Sequence, residues 1–257
     1  MITVSMQLGV CLMELMVLLS AGVRSGRETF FTLNYTTAYF LCIAAFVFAL
    51  ICSVRVKTTF AKYSRTSNRK GVRAYEVARE ILDRNGLYNV QIARTGGHLT
   101  DNYNPSTNVV SLSDSVYNST SLAAIGVAAH ECGHAVQHAR GYVPIKIRGA
   151  IFPVVQLGSS CYFIIFILGL LLNFGFLVNL GIALFGLVVV FQLVTLPVEF
   201  NASARAMSTL RSEGILAADE LPAARKTLTA AAMTYVASLL VSFTQLLRLI
   251  ASSNRRR

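Results

Sequence analysis

Apolar positions in this chain come in long unbroken runs, separated by a stretch in which they recur at short periods. Phe31 to Val54 carries no charge over 24 residues. About 20 apolar helical residues suffice to cross a hydrocarbon core, so a membrane span is predicted at 31–54. Gly149 to Val198 is uncharged over 50 residues. As a single helix at about 1.5 Å per residue it would far exceed a core about 30 Å thick. It must therefore turn back, and Asn173-Phe174-Gly175 supplies a polar, glycine-bearing break that predicts two spans, 150–172 and 176–197. Thr227 to Leu247 is a further uncharged run, richer in Ala, Ser and Thr, and reads as another span. Within the N-terminal extension 1–30, Met1 to Val23 is apolar with Glu14 in its middle and no basic opening segment: a weak span, a weak signal peptide or a misplaced start.

Between the runs, 55–148 has the pattern of a folded domain. Val72, Val77, Ala78, Ile81 and Leu82 recur at helical spacing, and Asn85-Gly86 supplies a stop. Val90 and Ile92 alternate with polar neighbours, and His98 to Tyr103 and Asn108 to Leu112 flank Asn104-Pro105-Ser106-Thr107, predicting a small β-sheet that ends in a hairpin. A second helix is expected to start at Thr120-Ser121, run through Ala123 to Ala139 and end at Gly141. Glu199 to Lys226 is polar again, with breaks at Glu213-Gly214 and Leu221-Pro222, and 248–257 is a basic tail.

Composition agrees with a membrane protein. The 257 residues are 54% hydrophobic and only 14% charged, with a mean hydropathy of +0.56, too little polar surface for a soluble globule and too much apolar content for disorder. A net charge of +11 would suit a nucleic-acid partner were it not for its placement. Arg55, Lys57, Lys62, Arg65, Arg69, Lys70 and Arg73 follow directly on the first predicted span with no acid among them, the signature of a cytoplasmic flank. The expected partner at this point is the bilayer, and no nucleic acid is expected. Five scattered cysteines without a C-x-x-C pair fit free thiols better than a disulfide framework.

The chemistry is concentrated in His130-Glu131-Cys132-Gly133-His134, an H-E-x-x-H string inside the second predicted helix. One turn apart on one face, both imidazoles can reach a single zinc ion, while Glu131 stands beside the metal, placed to take a proton from a water that the ion acidifies. A catalytic zinc needs a third protein ligand and an open position. His138 lies about 12 Å from His130 along the helix and is excluded from the same ion. His98, in the Gly96-Gly97-His98 turn, is a weak candidate. Glu199 is the stronger one. It is the first charge after the 50-residue run, and a hairpin returns the chain to the face it left, beside His134. Cys132 reads as a packed small residue and Gly133 as a point of close approach.

Three blocks in order carry a resemblance: His130-Glu131-Cys132-Gly133-His134-Ala135-Val136-Gln137; Leu99-Thr100-Asp101-Asn102-Tyr103-Asn104-Pro105 with Leu112-Ser113; and Leu196-Pro197-Val198-Glu199-Phe200-Asn201-Ala202-Ser203. Together they resemble the bacterial YugP-like zinc-dependent membrane peptidases, or neutral zinc metallopeptidases, and more distantly the HtpX-type and CAAX-processing gluzincins. The resemblance runs from about Val56 to Leu247. It implies one zinc ion held by His130, His134 and Glu199, with Glu131 as general base. In the distant relatives a carboxylate four residues after the ligand glutamate orients a zinc histidine; here that position is Ser203, so Ser203 or Asn201 is expected to supply a weaker hydrogen bond.

The expected fold is a mainly α membrane protein with three to five transmembrane helices and a zincin-like α+β catalytic domain. The expected function is a zinc metalloendopeptidase of a bacterial plasma or inner membrane with its site facing the cytoplasm. The alternative is a non-catalytic membrane protein with a structural zinc site. Asn108, Val109, Val110, Ser111 and Leu112 are expected either to offer an open sheet edge to substrate or to form a plain structural hairpin.

Overall fold

A computed structural model of the protein describes residues 35–254. The apolar extension at 1–30, the first positions of the predicted span at 31–34 and the arginines at 255–257 lie outside the described residues. The elements in order are α1 (Tyr35–Tyr63), α2 (Ala74–Arg84), β1 (Gln91–Thr95), β2 (Asn102–Asn104), β3 (Val109–Ser113), α3 (Leu122–Ala139), α4 (Val143–Leu171), α5 (Gly175–Ser212) and α6 (Leu221–Asn254). Helices α1, α4, α5 and α6 are each long and apolar enough to cross a membrane. The protein is therefore a mainly α membrane protein with a small sheet, as its hydrophobic pattern predicts.

The long helices continue past the predicted span ends. α1 runs on through Arg55, Lys57 and Lys62, and α5 passes Pro197 and Glu199 without a break before ending at Ser212. Long basic side chains at a helix end keep their charge in water while the stem packs, so charge alone does not stop a helix. Leu221-Pro222 marks the start of α6, where proline suits a first turn because it needs no amide donor. Gly214, at φ +59°, makes the turn between α5 and α6.

The protein divides into two compact units. One contains the described residues up to Ala49, Val155–Val190 and those from Ala237; its helices α4 and α5 approach closely, since a Cβ on Gly181 would lie 2.8 Å from the Phe166 Cβ. The other contains Leu50–Val154 and Phe191–Val236 and holds the main buried core. There α2 turns Val77, Ala78, Ile81 and Leu82 inward against α3, whose Ala123, Ala124, Ala128, Ala129 and Ala135 leave room for neighbours on several sides.

In the sheet, β3 pairs with β1 in parallel, with Ile92 opposite Val110, and with β2 antiparallel, with Tyr103 opposite Val110. β3 is thus the central strand of three. This corrects the expectation that Asn108, Val109, Val110, Ser111 and Leu112 offer an open edge: both sides of β3 are already paired, and the edges belong to β1 and β2. The hairpin is legible in the sequence, but the parallel partner from the preceding segment carries no turn signal to reveal it.

Candidate metal centre

The site is built on α3. Ser121 caps it, its hydroxyl accepting from the Ala124 amide at 3.2 Å, and Gly141 at φ +62° terminates it, as the spacing predicts. Gly133 lets α5 lie against it. A Cβ there would stand 2.7 Å from the Ala202 carbonyl oxygen, closer than any side chain tolerates. Cys132 points into the core, where its thiol reaches the Ala78 carbonyl oxygen at 3.5 Å and burial pushes its pKa up.

This approach brings Glu199 to the histidines. Glu199 Oε2 lies 3.2 Å from His130 Nε2 and 3.5 Å from His134 Nε2, and the two rings stand nearly perpendicular with centroids 4.7 Å apart. The three ligand atoms fall within 4.8 Å of one another. Tetrahedral zinc with arms of about 2.1 Å has ligand atoms about 3.4 Å apart, so the nitrogen, nitrogen and oxygen donors here have the right chemistry and spacing for that ion. Glu199 is 2% exposed, and a carboxylate so deeply buried needs cationic partners: Arg148 supplies one at Oε1, and a metal ion would supply another at Oε2.

The outer nitrogens are held so that the inner ones face one another. Ser203 Oγ lies 3.1 Å from His130 Nδ1. His134 Nδ1 lies 3.0 Å from Gln137 Oε1. Gln137 is fully buried and its Nε2 donates to the Val198 carbonyl oxygen at 2.8 Å and to Asn201 Oδ1 at 3.0 Å. With the amide nitrogen committed to two acceptors, Oε1 accepts and His134 Nδ1 carries the proton, while the Ser203 hydroxyl, accepting from His130 Nδ1, would set the same tautomer there. Both Nε2 atoms are then free to ligate. The orienting groups are a hydroxyl and an amide, neither of them charged.

Two contributors go beyond the sequence reading. Gln137 sits one turn beyond His134 on the same face, and its i+3 spacing is the available signal. Arg148 donates from NH1 to Glu199 Oε1 at 3.2 Å, leaving Oε2 toward the histidines. It is the last charge before the apolar hairpin, as Glu199 is the first after it.

Glu131 is 8% exposed, and burial pushes its carboxyl up to about 7, the range in which a general base operates at neutral pH. Asp101 contributes to its surroundings and is itself fixed by the Ser113 amide at 2.7 Å and hydroxyl at 3.0 Å. His138 stands apart from the ligand group, with its ring 5.7 Å from Tyr103 and its pKa lowered by burial and by the nearby His134 and Arg148. His98 is likewise elsewhere, against Phe60 at 5.5 Å with Nδ1 3.3 Å from Ser115 Oγ.

The family described as "Putative neutral zinc metallopeptidase" matches residues 38–254. The "Putative membrane protease YugP" of Bacillus subtilis (strain 168) is 47% identical over 211 residues, covering 82% of this chain and 94% of the relative. No solved structure matches.

Proposed function

The chain belongs to the neutral zinc metallopeptidase family, and from that premise we propose that it is a membrane-embedded metalloendopeptidase of the gluzincin type. His130, His134 and Glu199 hold the ion, one per molecule, and Glu131 acts as general base. The single observation that carries this reading is the convergence of three ligand atoms within 4.8 Å while a buried glutamate that ligates nothing stands next to the first of them. A structural site has no use for such a base and closes its fourth position with another ligand. No fourth His, Cys, Asp or Glu joins the group among the described residues.

Bound zinc would supply Lewis acidity, polarising the scissile carbonyl and acidifying the attacking water. The protein's own residues do the rest. Glu131 takes the proton from the water and can return it to the leaving amine. Gln137 holds His134 in one tautomer, Ser203 orients the His130 ring, and Arg148 holds the outer oxygen of Glu199. With β3 paired on both sides, the edge strands β1 and β2 are where a substrate backbone can add.

The basic cluster after the first span supports a site on the cytoplasmic side of a bacterial plasma or inner membrane, and the position of Glu199 on a long apolar helix supports membrane and membrane-proximal polypeptides as substrates. Glu131→Gln tests the reading. The variant is expected to keep its zinc and lose proteolysis of casein and of itself; cleavage at the wild-type rate removes Glu131 from the chemistry.

A further inference from the structure

The buried face of α5 is polar below the metal ligand as well as at it. Gln192, Thr195 and Glu199 follow at intervals of three and four, so they share one face of the helix. They are 3%, 2% and 2% exposed. Gln192 and Thr195 belong to the uncharged run that precedes Glu199, on the part of α5 composed to face a bilayer. Polar groups at such depth are costly and mark sites of function.

Thr195 is unusual among the threonines of this protein. Helical threonines commonly satisfy their hydroxyl on a carbonyl of their own helix. Thr58, Thr227, Thr234 and Thr244 all do so here. The Thr195 hydroxyl is buried and has no hydrogen-bond partner. Two residues on, Pro197 also withdraws the amide that the Leu193 carbonyl would otherwise receive. The protein thus keeps unsatisfied hydrogen-bonding capacity one turn from its proposed zinc ligand, on the apolar side.

Resting on the metallopeptidase reading above, we infer that Thr195, with Gln192 about a turn further on, is a subsite that hydrogen-bonds the backbone of a substrate reaching the metal centre from the bilayer. The substrate class is then membrane-spanning polypeptides cut close to their apolar segment. Peptide groups unwound from a helix in apolar surroundings must find partners. A hydroxyl and a carboxamide can each donate and accept, so they receive backbone carbonyl and amide groups without demanding a sequence.

The test compares two substrates in proteoliposomes: casein, and a peptide whose cleavable segment is joined to a single membrane span. In Thr195→Val the ratio of spanning-peptide to casein cleavage should fall about three- to tenfold, the size of one buried hydrogen bond, and Thr195→Ser should restore it. An unchanged ratio, or a Ser variant no better than Val, overturns the inference. A second readout needs no proteolysis. Removing a buried hydroxyl without a partner should raise the thermal midpoint of the substrate-free protein by about 2–4 °C. A lower midpoint would mean that the hydroxyl is already engaged at rest, which overturns the inference too. A wild type that cuts neither substrate refutes the metallopeptidase reading instead, and the thermal result still stands on its own.

Discussion

The two compact units are built from much the same apolar residues, yet they treat them oppositely. In the unit formed by Leu50–Val154 and Phe191–Val236, Leu82, Leu112, Ile125 and Leu210 are sealed from solvent inside a continuous core. In the other unit Phe40, Leu157, Ile164, Leu171 and Phe176 stand 62–72% exposed on helices with no charge nearby. The first unit holds the main core packed against protein, whereas the second turns many of its large apolar side chains outward, as a lipid-facing surface does. Glu199, Glu131 and Gln137, buried polar groups that the site depends on, belong to the first, where other parts of the sequence supply their partners.

The contrast can be broken most severely at Gly133. Gly133→Val places a side chain against the Ala202 backbone, which cannot give way, so the variant should lose both zinc and its compact fold, visible as protease sensitivity. Leu112→Ala, in the sealed core, should cost about 2–5 kcal/mol in denaturant unfolding, while Leu157→Ala, 69% exposed in the other unit, should leave the midpoint within error. Ile164→Lys asks whether that exposed surface faces lipid: a mid-membrane lysine should disfavour insertion by about 2.5–3.5 kcal/mol in a translocation assay, whereas the same residue at Tyr88, exposed in the first unit, should be neutral. Equal tolerance of both lysines would place α4 outside the bilayer. The smallest effect belongs to Arg69→Ala. Its pairing with Asp219 is 70% and 61% exposed, and removing it should change stability by under about 1 kcal/mol.

Much of this organisation is legible in the sequence because it is written in local rules. The caps at Ser121 and Gly141, the stop at Asn85-Gly86 and the break at Asn173-Phe174-Gly175 are short-range chemistry, and each sits at a helix boundary. Asn173 takes φ +50°, the left-handed turn that asparagine tolerates. The pair of histidines and Glu199 are legible because one helix turn and one hairpin suffice to bring them together. What stays hidden depends on distant pairing. The parallel partner of β3 leaves no turn between them, and Gln137 reveals its role only when Val198 and Asn201 of α5 take up its amide hydrogens. Arg148 resembles any interfacial arginine until its guanidinium meets Glu199.

The most direct test of the metal centre is zinc content after dialysis against a mild chelator, in wild type, Glu199→Ala and His138→Ala. The convergence of His130, His134 and Glu199, with His138 set apart, predicts about one zinc per molecule in wild type and in His138→Ala, and a large loss in Glu199→Ala, since a catalytic zinc relies on three protein ligands. Equal occupancy in wild type and Glu199→Ala would contradict it and reopen His98 as the third ligand.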